Sequence, residues 1–483
     1  MQNNNLTLLT DLYQLTMMQG YFSSGTGNRQ AVFDLYYRSN PGGNGFAICA
    51  GLEQIMEYID NLEFSADDLE YLRSLELFSD GFLQYLSDFK FSGDIFAIAE
   101  GSVVFPGEPL LRVRAPIIQA QLLETALLNI INHQTLIATK AARVCHAAGN
   151  DAVLEFGLRR AQGPGAGIFG ARAAVIGGCV ATSNVIAGKK FAIPIRGTHA
   201  HSWIMSFSDE LTAFREYAKA FPNTPILLVD TYDTINSGIP NAIKVFDELK
   251  ESGVNPAGFG IRLDSGDFAY LSKVAREMLD SAGYPNAIIC ASNDLDEDVI
   301  QSLKVQGTKI TLWGVGTALI TSKGESALGG VYKLSAMENE KGEIIPKIKI
   351  SENPEKITNP GIKKIFRIYD TRTKKIKADL ITLDEEQIDI TKKLTIFDPK
   401  AIWKKMTLMP GRYFVKELLM PIYQNGKRVY TSPSVMQIRQ HSINDQNTLW
   451  EEHRRLHCPH ILPVDLSQDL YNLKQKMIWE SRH

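Results

Sequence analysis

Cysteine is scarce in this sequence. There are five in 483 residues (Cys49, Cys145, Cys179, Cys290 and Cys458), scattered, odd in number and without Cys-x-x-Cys spacing. That argues against a disulfide scaffold and for a reducing, cytoplasmic setting. Nor is there an excess of one charge. Lys and Arg number 51 against 54 Asp and Glu, a net charge of −3, so the chain lacks the broad basic field of a general nucleic-acid binder. No run approaches the ~18 consecutive apolar residues of a membrane span. The first residues, MQNNNLTLLTDLYQ, lack a basic stretch followed by an apolar core, so no secretory leader is expected. Internal repeats and low-complexity tails are absent too. What remains, 44% hydrophobic and 22% charged residues, suits a soluble globular protein of two or three domains.

Up to about residue 148 the pattern is mixed α+β. Residues 31–37 (AVFDLYY) and 91–99 (FSGDIFAIA) alternate like strands. Residues 119–148 carry apolar side chains at helical spacing (Leu122, Ala126, Ile130, flanked by Leu123, Leu127, Ile131), which predicts one long core helix leading into the next domain.

Between residues 149 and 336 short apolar runs alternate with helical segments: AVLEFGLRR, FAIPIRGTHAH, ILLVDTYDT, GFGIRLDSGD, AIICASND, ITLWGVGT and VYKLS. Continuous apolar strands separated by helices predict a parallel sheet covered on both faces. Arg159, His201, Asp230, Asp264, Asn293 and Gly316 all fall at or just past the C-terminal end of a run. In a (β/α) barrel those ends converge on one mouth, whereas a doubly wound sheet spreads them along an edge. The expected fold is therefore α/β: an irregular, incomplete TIM-like (β/α) barrel, after an α+β domain over 1–148 and before a small appendage over 337–483. That last segment is Lys/Glu-rich, with strand-like pieces at 365–369 and 376–383 and a helical end from Pro433.

Several segments carry side chains suited to chemistry. In WGVGT, a strand opens into Gly314-Val315-Gly316-Thr317, whose backbone N–H groups could cradle a phosphate; a plain turn is the alternative. In GIRLDSGD, Arg262 and Asp264 are two apart and share a strand face. They form either a structural ion pair or a phosphate clamp beside a ribose-binding carboxylate. RGTHAHSW puts two histidines next to the Gly197-Thr198 turn, which suits proton or phosphoryl transfer, and spacing does not separate His199 from His201. In LEFGLRRAQGPGAG, Phe156 and the guanidinium of Arg159 could hold a flat anionic ring, or serve as core and surface charge. HRRLHCPH gathers His453, His457, Cys458 and His460; with no second ligand pair elsewhere, a solvated helix end is expected rather than a metal site.

Together these motifs resemble the nicotinate phosphoribosyltransferase family. The resemblance runs through DLYQLTM, GLRRAQGP, TSNVIAG, GTHAHS, LLVDTYDT, RLDSGD, SNDLDE, WGVGT, LGGVYKL and KISENPEKITNPG, almost the whole chain in order. It implies a type II phosphoribosyltransferase fold and transfer of phosphoribosyl from 5-phosphoribosyl-1-pyrophosphate (PRPP) to nicotinate. ATP as co-substrate would be coupled through a phosphohistidine, and Mg2+ would travel with the polyphosphates. By the motif GTxAHS the phosphorylated histidine is His201, with Asp264 also catalytic. Phe156 would stack on the pyridine, Tyr13 of a second subunit would close its other face, and Arg159 would meet the carboxylate. Arg262 and Asp264 would hold the phosphoribosyl group, with Gly197, Thr198, Asp230 and Asn293 around it and the backbone of Gly314, Gly316 and Thr317 on the 5-phosphate. The related nicotinamide enzyme has an aspartate where Ser183 stands, so a neutral Ser183 implies preference for nicotinate. A homodimer with a shared site is implied. LLVDTYDT only superficially resembles the diphosphate-sugar loop of the Rossmann-like phosphoribosyltransferases, because Asp230 and Asp233 are not adjacent. A nicotinamide or quinolinate phosphoribosyltransferase, a phosphosugar-binding barrel isomerase and a non-catalytic binding protein are the alternatives.

Overall fold

A computed structural model describes residues 5–254, 256 and 258–481. The chain divides into two compact units, the first made of Met1–Leu136, Ala327–Pro433 and Gln440–His483, the second of Ile137–Ser326 and Ser434–Arg439. This differs from the three consecutive segments expected from the sequence. The strand Gly330–Glu338 contains the VYKLS run, but it pairs antiparallel with Gln30–Tyr37 instead of joining the parallel sheet.

The first unit centres on a seven-stranded sheet that includes Gln30–Tyr37, Asp94–Ile98, Leu111–Pro116 and Leu419–Gln424. Its apolar face packs with Leu52–Asp60 and the apolar stripe of residues 122–131 into one core. The expected single helix over 119–148 is two, Ile117–Leu122 and Glu124–Ala148, broken at Leu123. A second, four-stranded sheet holds Lys363–Asp370 and Ile376–Leu383, the strands foreseen near 365–369 and 376–383. The tail is helical over Val435–Gln446 and Gln468–Glu480, with a strand, Val464–Leu466, between them.

The second unit contains six parallel strands: β1 (Ala152–Glu155), β2 (Ala181–Thr182), β3 (Ile226–Leu228), β4 (Gly260–Leu263), β5 (Ile288–Ser292) and β6 (Leu312–Val315). Their order is β2-β1-β6-β5-β4-β3, every pairing parallel. Helices Pro164–Gly177, Ile239–Glu251, Phe268–Ser281 and Glu297–Val305 connect them. The strand expected in FAIPIRGTHAH shrinks to one bridge, Ile195 beside Thr182. The parallel arrangement brings all six C-terminal strand ends to one edge. Among the described residues, no helix is long and apolar enough to cross a membrane.

Candidate active site

Each strand of the second unit ends in a residue foreseen as functional, and hydrogen bonds tie several of them together. Arg262, on β4, is the hub. Its Nε donates to Ser292 Oγ at 2.7 Å, Nη1 to Thr198 Oγ1 at 2.8 Å and to the His199 carbonyl at 3.3 Å, and Nη2 to Asp264 Oδ1 at 2.7 Å. The planar fork thus joins β4, the end of β5 and the 198–199 segment. The Ser292 hydroxyl also donates to Asp264 Oδ1.

Burial alone would raise the Asp264 carboxyl. The hydrogen bonds from Ser292 and Arg262, with the positive charge of Arg262, outweigh it and hold the group below the usual aspartate range. The Asp264 backbone is fixed as well: its N–H donates to Asp230 Oδ2 at 2.7 Å, and its carbonyl accepts from Asn293 Nδ2 at 3.1 Å. Asn293 has φ 87°, a left-handed conformation that Asn tolerates better than most residues. Asp230 Oδ2 accepts from Ser265 Oγ too, while its Oδ1 is buried without a hydrogen-bond partner.

His201 opens the short helix His201–Met205 and is partly exposed. Its Nδ1 is 3.0 Å from Thr231 Oγ1 and its Nε2 3.7 Å from Asp264 Oδ2. One imidazole nitrogen is therefore held by a hydroxyl while the other faces a carboxylate. His199 is buried behind this layer.

Phe156 follows β1, and its N–H donates to the Val315 carbonyl at 2.8 Å. Gly314 is where its ring packs: a Cβ there would meet the ring at 2.6 Å. So this glycine makes room for the aromatic face, a role that the phosphate-loop reading of WGVGT did not contain. Glu155, fully buried and next to Phe156 along the chain, accepts from the Gly157 N–H and, at 2.5 Å, from Thr182 Oγ1. Burial pushes its carboxyl up, against the pull of those two donors. Ser183 is half-buried and donates its N–H to the Glu155 carbonyl at 3.0 Å, which sets it one strand away from Phe156. Arg159 lies on the turn Leu158–Arg160 with its side chain exposed, as are Gly197 and Thr317; Gly316 is half-buried.

Tyr13 belongs to the first unit, on the helix Leu12–Ser23, and is 50% exposed. Past the short helix Glu451–His453, His457, Cys458 and His460 are exposed, as expected of a solvated helix end. His453 is buried, and its Nδ1 contacts the His460 carbonyl at 2.9 Å, closing a loop.

Ser292, Thr231 and Glu155 join the site without having stood out in the sequence. Ser292 and Thr231 adjoin residues that did, Asn293 and Asp230. Glu155 was hidden by its place in an apolar run, where a buried carboxylate is the unusual residue.

Models of the nicotinate phosphoribosyltransferase (NAPRTase) family match residues 152–394, with the family's N-terminal domain on 8–132 and its C-terminal domain on 362–474. A nicotinate phosphoribosyltransferase of Bacillus subtilis is 46% identical over 479 residues, 99% of this chain and 96% of that relative. The chain belongs to the nicotinate phosphoribosyltransferase family. A family member from Caenorhabditis elegans is 37% identical, covering 96% of this chain and 92% of its own. The crystal structure of human nicotinic acid phosphoribosyltransferase matches with a TM-score of 0.85 at 31% identity, over 97% of this chain and 99% of that one. A nicotinate-nucleotide pyrophosphorylase from Pyrococcus furiosus, 22% identical over 92% of this chain and 96% of its own, shares the fold with a TM-score of 0.69.

Proposed function

We propose that this chain is a nicotinate phosphoribosyltransferase that joins nicotinate to PRPP, releasing nicotinate mononucleotide and pyrophosphate, with ATP hydrolysis coupled through phosphorylated His201. The observation that carries the reading is the cluster of Arg262, Asp264, Ser292, Thr198 and His201 at the C-terminal strand ends of a family member. Loss of pyrophosphate leaves an oxocarbenium-like ribose, so positioning and charge do most of the work. In this reading Arg262 binds phosphate oxygens and Asp264 a ribose hydroxyl. Phe156 takes one face of the pyridine, Tyr13 of the partner subunit the other, and Arg159 the carboxylate. Ser183 favours nicotinate because it adds no negative charge near that carboxylate. Gly197, Thr198 and Asn293 shape the pocket, and the backbone at Gly316 and Thr317 receives the 5-phosphate; Gly314, expected to share that role, is instead buried within β6 and paired with Ser292 and Leu154 on the strands beside it.

Asp230 Oδ1, buried and unpartnered, and Asp264 suit a Mg2+ ion carried in by polyphosphate. Bound there, the ion would neutralise charge on the departing pyrophosphate. Phosphorylation of His201 adds anionic oxygens to the mouth, so ATP tightens PRPP binding instead of joining the bond-making step.

The sheet is read as an opened (β/α) barrel. Consecutive strands are neighbours everywhere except between β2 and β3, the order expected of a barrel parted at one seam. The five free cysteines suit a cytoplasmic enzyme.

A pyrophosphate-release assay with PRPP and Mg2+, offering nicotinate or nicotinamide with and without ATP, tests the reading. Release with nicotinate, boosted by ATP, is expected. Release with nicotinamide alone would overturn the substrate assignment, and release with neither would overturn the activity.

A further inference from the structure

His199 and His201 are two residues apart, yet their surroundings are opposite. His201 is partly open to the site, whereas His199 is only 8% exposed. The His199 Nε2 accepts the backbone N–H of Leu228 at 3.3 Å, and its ring stands edge-on to Tyr217 with centroids 4.5 Å apart. A ring nitrogen that accepts an N–H carries no proton, so this imidazole is neutral, protonated on Nδ1. Burial agrees, pushing its pKa down to about 4.

Leu228 ends β3, the edge strand at the seam of the sheet. A strand edge presents backbone groups that need partners. Where a neighbouring strand would supply a carbonyl, the His199 side chain supplies a nitrogen. The same segment is held a second time, because Arg262 on β4 donates to Thr198 Oγ1 and to the His199 carbonyl. His201 follows directly, and its Nδ1 partner, Thr231, lies three residues beyond Leu228.

We propose that His199 is a positioning residue for His201: a neutral imidazole that ties residues 198–201 to β3 and so holds the His201 ring between Thr231 and Asp264. The proposal rests on the reading of His201 as the phosphoryl acceptor.

Two variants of the full chain separate the acceptor from mere bulk. His199→Leu fills the space without an acceptor, and His199→Gln returns an acceptor oxygen. Misplacing a reacting group by about 1 Å can cost on the order of 100-fold. For His199→Leu we expect phosphate uptake from γ-labelled ATP, and kcat for nicotinate-dependent pyrophosphate release, to fall roughly 10- to 100-fold. KM for nicotinate should stay nearly constant, and His199→Gln should recover most of the loss. In 15N-histidine-labelled wild-type protein at neutral pH, His199 should show the Nδ1–H tautomer. An Nε2–H tautomer or an imidazolium would overturn the proposal even if His199→Leu did not fold. So would a folded His199→Leu protein phosphorylated as fast as wild type, or a His199→Gln protein as impaired as His199→Leu. Wild-type protein that took no phosphate from ATP would instead overturn the reading of His201, and this proposal with it.

Discussion

Arg262 Nη2 lies 2.7 Å from Asp264 Oδ1, two residues along the same strand and its exit, and the same oxygen accepts the Ser292 hydroxyl. The guanidinium directs three further contacts to Ser292, Thr198 and the His199 carbonyl, so it organises the site as well as facing it. Arg262→Lys keeps the charge but loses the fork, and a single ammonium cannot span these partners. The expected result is a fall of about 100-fold in kcat/KM for PRPP, measured by pyrophosphate release. A loss under threefold would mean that the network is structural only.

His201→Ala should abolish ATP stimulation while leaving slow, ATP-independent transfer, because the binding groups for PRPP remain. Rates measured with and without ATP check this. Full stimulation in the variant would remove His201 from the coupling.

Gly314 accommodates Phe156, since a Cβ would sit 2.6 Å from its ring. Gly314→Ala forces the ring to move, at a cost of about 1–3 kcal/mol for overpacking. If Phe156 stacks on the pyridine, KM for nicotinate rises more than KM for PRPP. Equal changes in both would indicate a general loss of stability, which a thermal melt would register.

Ser183→Asp places a carboxylate one strand from Phe156, where Ser183 is anchored to the Glu155 carbonyl. Like charges should lower nicotinate affinity by about tenfold or more, an effect that weakens as salt screens it. Binding of nicotinate followed across ionic strength reads both features. Unchanged affinity would remove Ser183 from substrate choice.

Burial of His199 carries a pH signature for stability. Its pKa is held at about 4 in the folded chain, against ~6.5 when unfolded. Between those values the unfolded chain binds a proton that the folded one refuses, so stability present above pH ~6.5 is lost as pH falls toward 4. The size is roughly 3 kcal/mol. His199→Gln cannot titrate, so urea unfolding from pH 7 to 4 should show a shallower decline than wild type. Parallel declines would mean that the unfolding transition does not sense this imidazole.

Much of the site was legible because parallel strands advertise themselves. Short apolar runs ending in Asp230, Asp264, Asn293 and Gly316 mark both the buried segment and the turn after it, and the structure places those residues past β3 to β6. The VYKLS run misled for the same reason. An apolar run records that a strand is buried and says nothing about which sheet buries it; here Gln30–Tyr37, about 300 residues earlier, is the partner. FAIPIRGTHAH has the apolar pattern of a strand, yet only Ile195 bridges to Thr182, and a side chain at His199 takes over where backbone pairing ends.

Local matters are written along the chain: which runs are buried, where they stop, and which charged or aromatic residue stands at each stop. Those follow from hydrophobic periodicity and from spacings of a few residues, which the chain carries along its own length. It also held the motifs that mark the family. Folding settled what depends on contacts between distant segments. It made Arg262 the common partner of Ser292, Thr198 and Asp264, turned Gly314 into space for Phe156, and separated a buried His199 from an accessible His201. Two histidines in one tripeptide have the same local chemistry. Only the packing of β3 and Tyr217 around one of them makes it neutral, while the other stays partly exposed.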